Sequence, residues 1–327
     1  MKSGKIKESM LKRSVLRYTG TEDETVLVRG NVGVDAAVVD MQGGYGAFAV
    51  NSVTAVDGPN QAKYAFYHVL NDIVSAGGVL KSVLVNIMCP EDFNEDELTY
   101  FMKTLKGLCE EYGVSVIGGH TEITDKVNKT VATVMGIGIT NKTVRPGNIQ
   151  AGDDIILTKW VGIEGAKIII EEKYEELSKR YTKGFIEDAY GSVNEMSVAP
   201  EAAIALENGA SYIHNLSSGG ILNGLWEMVS TVNLGMEVDF KKIPVKQEII
   251  EICEFFDINP YQLMSNGSLL MTSKDGCDIV RVLENNGIRT SVIGRITDGN
   301  DKILINDDEV RYLDTPKRDE IFKIKIK

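Results

Sequence analysis

The apolar positions of this chain repeat in two ways. Between residues 24 and 50, short apolar runs alternate with turns: Val26–Val28, Ala36–Val39 and Ala47–Val50, separated by Gly30–Gly33 and by Gly43, Gly44 and Gly46. Runs of that length between turn residues predict strands in a β-meander. Ala62, Phe66, Val69, Leu70, Ile73 and Gly77 then recur at helical spacing and predict a helix over Lys63–Gly77. Asp72 sits at the edge of that apolar face, four residues after His68, so the two side chains can meet, while Asn71 points away. Val79–Met88 reads as a strand. Asn94-Glu95-Asp96-Glu97 is a capping-box pattern. The helix it opens buries Leu98, Phe101, Met102, Leu105, Leu108, Cys109 and Tyr112 and stops at Gly113.

Val114–Thr124 carries the densest polar chemistry. Val114, Val116 and Ile117 read as a buried strand that Gly118 and Gly119 break into a tight turn, with bare amides beside it. His120, Thr121 and Glu122 follow, placing an imidazole, a hydroxyl and a carboxylate at a strand end, where ligands of α/β proteins commonly bind. An ordinary polar hairpin is the plainer alternative. Thr130–Thr140 alternates as a further strand, with Gly136 and Gly138 keeping one face bare. These glycine-spaced strands lack cover within one chain of this size, so a homodimer through the first domain is expected.

Arg145–Asp154 places one proline and two glycines among polar residues, which sets a boundary between domains at 1–148 and 149–327. Beyond it, strands are predicted at Ile155–Trp160, Tyr212–His214, Leu269–Thr272, Thr290–Ile296 and Ile303–Asn306. Helices are predicted at Ala166–Leu177, Met196–Asn208, Ile221–Val232, Pro244–Phe256 and Cys277–Asn285, with surface helices between Tyr174 and Gly191. The strand at Tyr212–His214 leads through Asn215-Leu216-Ser217-Ser218-Gly219-Gly220 into a helix. That order makes either an anion site at a helix N-terminus or a tight connection without a ligand.

Composition narrows the function classes. The 327 residues are 43% hydrophobic and 25% charged, a globular balance. A net charge of −12 argues against nucleic acid or an anionic membrane as the main partner. The N-terminus has positive charge but no apolar core of a leader, and no run approaches the length of a membrane span. Cys89, Cys109, Cys253 and Cys277 form no C-x-x-C pair and read as reduced residues of a cytoplasmic protein that carry no chemistry. The three histidines are too scattered for a local metal motif. The P-loop, dinucleotide, nucleophile-elbow and zincin motifs are all absent.

Several stretches together resemble the aminoimidazole-ribonucleotide (AIR) synthase superfamily, a PurM-like group whose HypE-like branch serves hydrogenase maturation. Gly33-Val34-Asp35-Ala36-Ala37-Val38 is similar to its G-D/E-D-A-A-V segment, and Asn71-Asp72-Ile73 before Ala76-Gly77 to its N-D-I-x-x-x-G helix. Gly118-Gly119-His120-Thr121 is close to its G-G-[HDE]-T segment. Gly152-Asp153 and Gly162-Ile163-Glu164-Gly165 fit the start of its second domain, and His214–Gly220 the position of an H-D-P-T-E-G-G loop. Ile243-Pro244-Val245, Asn259-Pro260 and Ile293-Gly294-Arg295 follow in the HypE-like order. The resemblance implies a two-domain α/β (α+β) fold whose first domains pair to close a β-barrel. It implies ATP and Mg²⁺ in a cleft near that interface. Asp35 and Asp72 would hold Mg²⁺, with Asn71 beside them. Gly118, Gly119, His120 and Thr121 would line the phosphates, and Asn215, Ser218, Gly219 and Gly220 would meet nucleotide or substrate.

The chain departs from that pattern at charged positions. Val34 stands where an acid usually precedes the DAA aspartate. Ser52-Val53-Thr54 lacks the usual aspartate, for which Asp57 could substitute, and Asn215–Ser218 lacks the acids of D-x-x-E. The sequence closes on Lys323-Ile324-Lys325-Ile326-Lys327 without the terminal cysteine that carries the carbamoyl group in HypE, so that route to thiocyanate is not expected. Two readings follow. One is an ATP-dependent enzyme activating a small oxygen-bearing substrate or a maturation intermediate. The other is a non-catalytic relative binding nucleotide or a partner protein.

Overall fold

The fold is that of a computed structural model, which describes residues 3–19, 23–192 and 195–324. The chain divides into two compact units: a smaller one of Thr25–Arg29 and Asp35–Thr143, and a larger one of the N-terminal segment, Gly30–Val34 and the chain from Val144. A short helix, α1 (Glu8–Ser14), opens the larger unit.

The smaller unit contains β1 (Val26–Val28), β2 (Ala37–Asp40), β3 (Tyr45–Ser52), α2 (Gln61–Ser75), β4 (Val79–Cys89), α3 (Glu95–Tyr112), β5 (Ser115–Ile123) and β6 (Val131–Thr140). Its sheet runs β1-β2-β3-β6-β4-β5, antiparallel except for the parallel β4–β5 pair at the edge. The first three strands form the expected meander. Asn94 caps α3 by accepting from the Asp96 amide, and Gly113 closes it in the left-handed conformation.

Three expectations change here. Gly136 and Gly138 do not bare a free face: a Cβ at Gly138 would lie 2.4 Å from Ile73 Cγ2, so these glycines let α2 settle onto the sheet. The open face is the other one, where Val50, Met135 and Ile139 are exposed. Second, β5 is no buried strand ending at Gly118. It runs through both glycines to Ile123, and every residue of it is exposed, because it forms the sheet edge. The register slips by one residue between Val83 and Leu84, leaving Ile117 as the extra residue of a bulge. Third, Asn71 does not point away to solvent but is fully buried, because α2 is buried on nearly every side.

The larger unit adds β7 (Asp154–Thr158), α4 (Ile163–Glu172), α5 (Tyr174–Leu177), α6 (Lys183–Ser192), α7 (Ala199–Glu207), β8 (Ala210–Asn215), α8 (Gly220–Val229), β9 (Gly235–Asp239), α9 (Gln247–Phe255), β10 (Leu269–Ser273), α10 (Gly276–Asn285), β11 (Thr290–Thr297), β12 (Lys302–Asn306) and β13 (Glu309–Tyr312). Its sheet runs β13-β12-β9-β11-β7-β10-β8. Ile155, Ile156 and Leu157 are fully buried, so the apolar run of β7 fits an interior strand. The helix expected from Pro244 starts only at Gln247, since Lys246 is still extended (ψ 146°). The helix expected over Ala166–Leu177 breaks at Lys173.

Candidate functional site

The conformation of β5 follows from one close approach. A Cβ on Gly119 would lie 1.9 Å from the Val85 carbonyl oxygen, so only glycine lets the strand pair there. Gly118 is less confined, with Leu84 Cδ2 at 3.5 Å from its would-be Cβ. Beyond the glycines, His120 lies beside Asn86 and Thr121 beside Ile87. His120 Nε2 and Glu122 Oε2 are 3.2 Å apart on the open face, an exposed pair worth about 0–1 kcal/mol. The register places Ser52, Thr133, Asn86 and His120 in one polar row across four strands, and Ser52 and Thr133 share a hydroxyl hydrogen bond of 2.6 Å. The row on one side is Val50, Met135, Leu84 and Gly118, and the row on the other is Val131, Met88 and Glu122, so the polar groups span two rungs at one end of the face.

His68, Asn71 and Asp72 are all buried on α2, with His68 and Asp72 one turn apart. Asp35, in the turn before β2, is half-buried. Asp57 is engaged by an ion pair with Lys129. Val53 is buried apolar surface. Among the described residues, no three His, Cys, Asp or Glu side chains converge on a metal position. Mg²⁺ held on a phosphate chain takes only one or two protein carboxylates, the phosphates and water completing its shell.

In the larger unit, Asn215 ends β8, Ser217 and Ser218 are half-buried, and Gly219 and Gly220 are buried at the start of α8. Both glycines are demanded by packing: a Cβ would meet Asn223 Nδ2 at 1.7 Å on Gly219, and the Tyr261 and Leu263 carbonyls within 2.7 Å on Gly220. The Gly219 amide donates to Asp319, whose other carboxylate oxygen accepts from the Ile321 amide. Asn223 holds the same segment through both atoms of its amide, donating to the Lys317 carbonyl and accepting from the Lys317 amide. The helix N-terminus therefore already carries an internal carboxylate. Burial pushes the Asp319 carboxyl up to about 6, against the pull of those amides.

Local sequence reading missed Glu227 and Lys5. Glu227 Oε2 lies 3.5 Å from His214 Nε2, and Glu227 Oε1 lies 3.6 Å from Lys5 Nζ, which also donates to Ser217 Oγ at 3.3 Å. The available signal was that Glu227 is the sole charged residue of a mostly apolar α8. Burial raises its carboxyl, but Lys5 and His214 outweigh that and hold it down at about 2. Its contribution to stability is thus complete above its ordinary value of 4.5 and is lost as pH falls towards 2. Linkage makes that loss about 3 kcal/mol. Urea unfolding between pH 4.5 and 2.5 should show it in the native chain and show much less of it in Glu227→Gln.

Residues 150–306 match the C-terminal domain of AIR synthase related proteins, and residues 25–140 match the N-terminal domain. The chain belongs to the AIR synthase related family. A putative hydrogenase expression/formation protein of Methanocaldococcus jannaschii is 25% identical over 293 residues, covering 86% of this chain and 83% of that one. The carbamoyl dehydratase HypE of Rhizobium leguminosarum is 26% identical over 231 residues, covering 68% of this chain and 63% of its own length. This AIR synthase related chain thus spans less than two thirds of that HypE. A crystal structure of HypE in complex with ATP superposes with a TM-score of 0.71 at 15% identity, covering 96% of each chain, and shows the shared PurM-like fold. Within this family member, Cys89, Cys109 and Cys253 are buried and Cys277 is exposed. Burial pushes the Cys109 thiol up to about 11 and the Cys253 thiol up to about 12. No helix of the described residues is long and apolar enough to cross a membrane.

Proposed function

We propose that this chain binds ATP with Mg²⁺ on its smaller unit as a homodimer and activates a small substrate or maturation intermediate. The observation that carries the reading is β5. Its Gly118–Thr121 segment joins amides, an imidazole and a hydroxyl on a sheet edge left wholly exposed, beside an open face lined by Val50, Met135 and Ile139. A second copy would cover that face, closing the two sheets into a barrel, and the edge amides would receive the phosphates. Asp35 and Asp72 would hold Mg²⁺, whose charge would offset that developing on the phosphoryl oxygens. Asn71, buried beside Asp72, would fix the helix carrying it. The Asn215–Gly220 loop belongs to the larger unit, where the Gly219 amide already serves Asp319. Support comes from the family, from a relative named as a putative hydrogenase expression/formation protein, and from the ATP complex of a protein with the same fold.

With Val34 and Val53 unable to contribute ligands, one Mg²⁺ rather than two is expected, and slow turnover with it. Asp72→Asn should remove most of the effect of Mg²⁺ on ATP affinity while leaving metal-free ATP binding nearly unchanged. Sedimentation should show a dimer at micromolar concentration. A monomer there, or an Asp72→Asn protein with native metal dependence, contradicts the reading. The second reading, a relative that binds without catalysis, is favoured by those same lost acids. It predicts ATP binding with no turnover at any Mg²⁺ concentration.

A further inference from the structure

At the far edge of the larger unit's sheet, β13 is the terminal strand. All four of its residues are exposed, Val310 at 62% and Tyr312 at 70%. Soluble proteins commonly blunt such an edge with lysine, proline or a bulge, because its free amides and carbonyls invite another strand. β13 is only four residues long, but it carries no lysine, proline or bulge, its two charges pair with each other, and its pairing with β12 is regular from Glu309 to Tyr312. Pairing puts Leu304, Asn306, Glu309 and Arg311 on one face of the hairpin and Ile303, Ile305, Val310 and Tyr312 on the other. On the first face lies a cleft of about 300 Å³ lined by Leu222, Phe240 and Leu304 and by the charged pairs Glu309–Arg311 and Asp314–Lys317. An open strand edge with a side-chain pocket beside it is the arrangement by which sheets recruit an extended peptide. Main-chain bonds then give affinity, and alternate side chains give specificity.

Charge selects the occupant. Residues 297–314 hold six acids (Asp298, Asp301, Asp307, Asp308, Glu309, Asp314) against Lys302 and Arg311, a net of −4 within a chain of net −12. Lys241 and Lys317 pair with Asp307 and Asp314 from outside that stretch, and the hairpin remains negative. The Glu309–Arg311 pair is exposed on both sides and weakly held, so either member can re-pair.

We infer that β13 and its cleft form a docking site for an extended, basic segment of a partner protein, added to the sheet as a further strand. One apolar side chain enters the cleft, its neighbours lie over Val310 and Tyr312, and lysine or arginine side chains meet the acidic hairpin. This site lies within the larger unit and does not depend on the nucleotide reading.

The probe is a fluorescein-labelled synthetic peptide alternating lysine and valine over seven residues, with a glutamate–valine peptide as its counterpart. The intact chain should bind the basic peptide in fluorescence anisotropy about tenfold or more tighter than the acidic one, as charge complementarity requires. Hydrogen exchange of the Val310–Tyr312 amides should slow in the complex. Val310→Pro should weaken binding about tenfold or more by removing an edge group. Tyr312→Lys, which alters no main-chain group, should weaken it by charge and lost contact. No binding at millimolar peptide, equal binding of the acidic peptide, or protection confined to other strands would each overturn the proposal. So would a dimer that Val310→Pro dissolves in sedimentation, since the edge would then belong to a second copy.

Discussion

Gly119→Val should unfold the smaller unit at markedly lower denaturant than the native chain. The Val85 carbonyl oxygen stands 1.9 Å from where the new Cβ would be, and it is main chain in the middle of a strand, so it cannot step aside. Either β5 leaves the sheet or the β4–β5 register shifts. Moving the register by one residue would swap His120 and Glu122 with Thr121 and Ile123 between the two faces. The expected cost is on the order of 3 kcal/mol or more, in the range reserved for backbone conflicts and core damage. Gly118→Ala is the control: it meets only Leu84 Cδ2 at 3.5 Å, so its penalty is limited to its positive φ of 153°, about 1 kcal/mol. Chemical unfolding of the three proteins checks this. Equal midpoints for Gly119→Val and the native chain would mean that β5 does not pair as described.

The second large effect lies in the larger unit. Lys159 and Glu201 form a buried ion pair at 2.7 Å, and Lys159 also donates to the Ser197 carbonyl at 2.6 Å. Burial pushes the Glu201 carboxyl up, and the Lys159 charge and hydrogen bond pull it back. Removing one partner strands the other charge in the interior, which costs about 3–5 kcal/mol. Glu201→Leu and Lys159→Met should each lose about that much. The double variant should recover most of the loss, because no buried charge remains. A double-mutant cycle in urea measures the coupling. Additive losses would show that the two charges do not depend on each other.

How much of this was legible in the sequence varied with how local the cause is. Helical spacing of Phe66, Val69, Leu70 and Ile73 and the Asn94 cap gave α2 and α3, since both signals lie within a few residues. The extent of β5 is hidden because Gly118 and Gly119 look like turn residues, while the need for glycine at 119 is set by the Val85 carbonyl some thirty positions earlier. Gly136 and Gly138 misled in the same way: the face they bare is the one α2 occupies. Helix periodicity places Asn71 outward, because periodicity cannot report burial on a helix covered nearly all round. At the Asn215–Gly220 loop, the glycines and the helix start were readable. Asp319, which fills that start from 100 residues away, was not. β9 and β13 escaped because short strands beside charged turns carry little periodic signal.

The family assignment rests on both halves of the chain. The most direct test of the central claim is titration calorimetry of the native chain with ATP, without and then with Mg²⁺. The account predicts saturable binding of one ATP per chain in both conditions, tightened by the metal by about tenfold or less if Asp35 and Asp72 alone hold it, as proposed. Absence of ATP binding at millimolar nucleotide with Mg²⁺ present would contradict it.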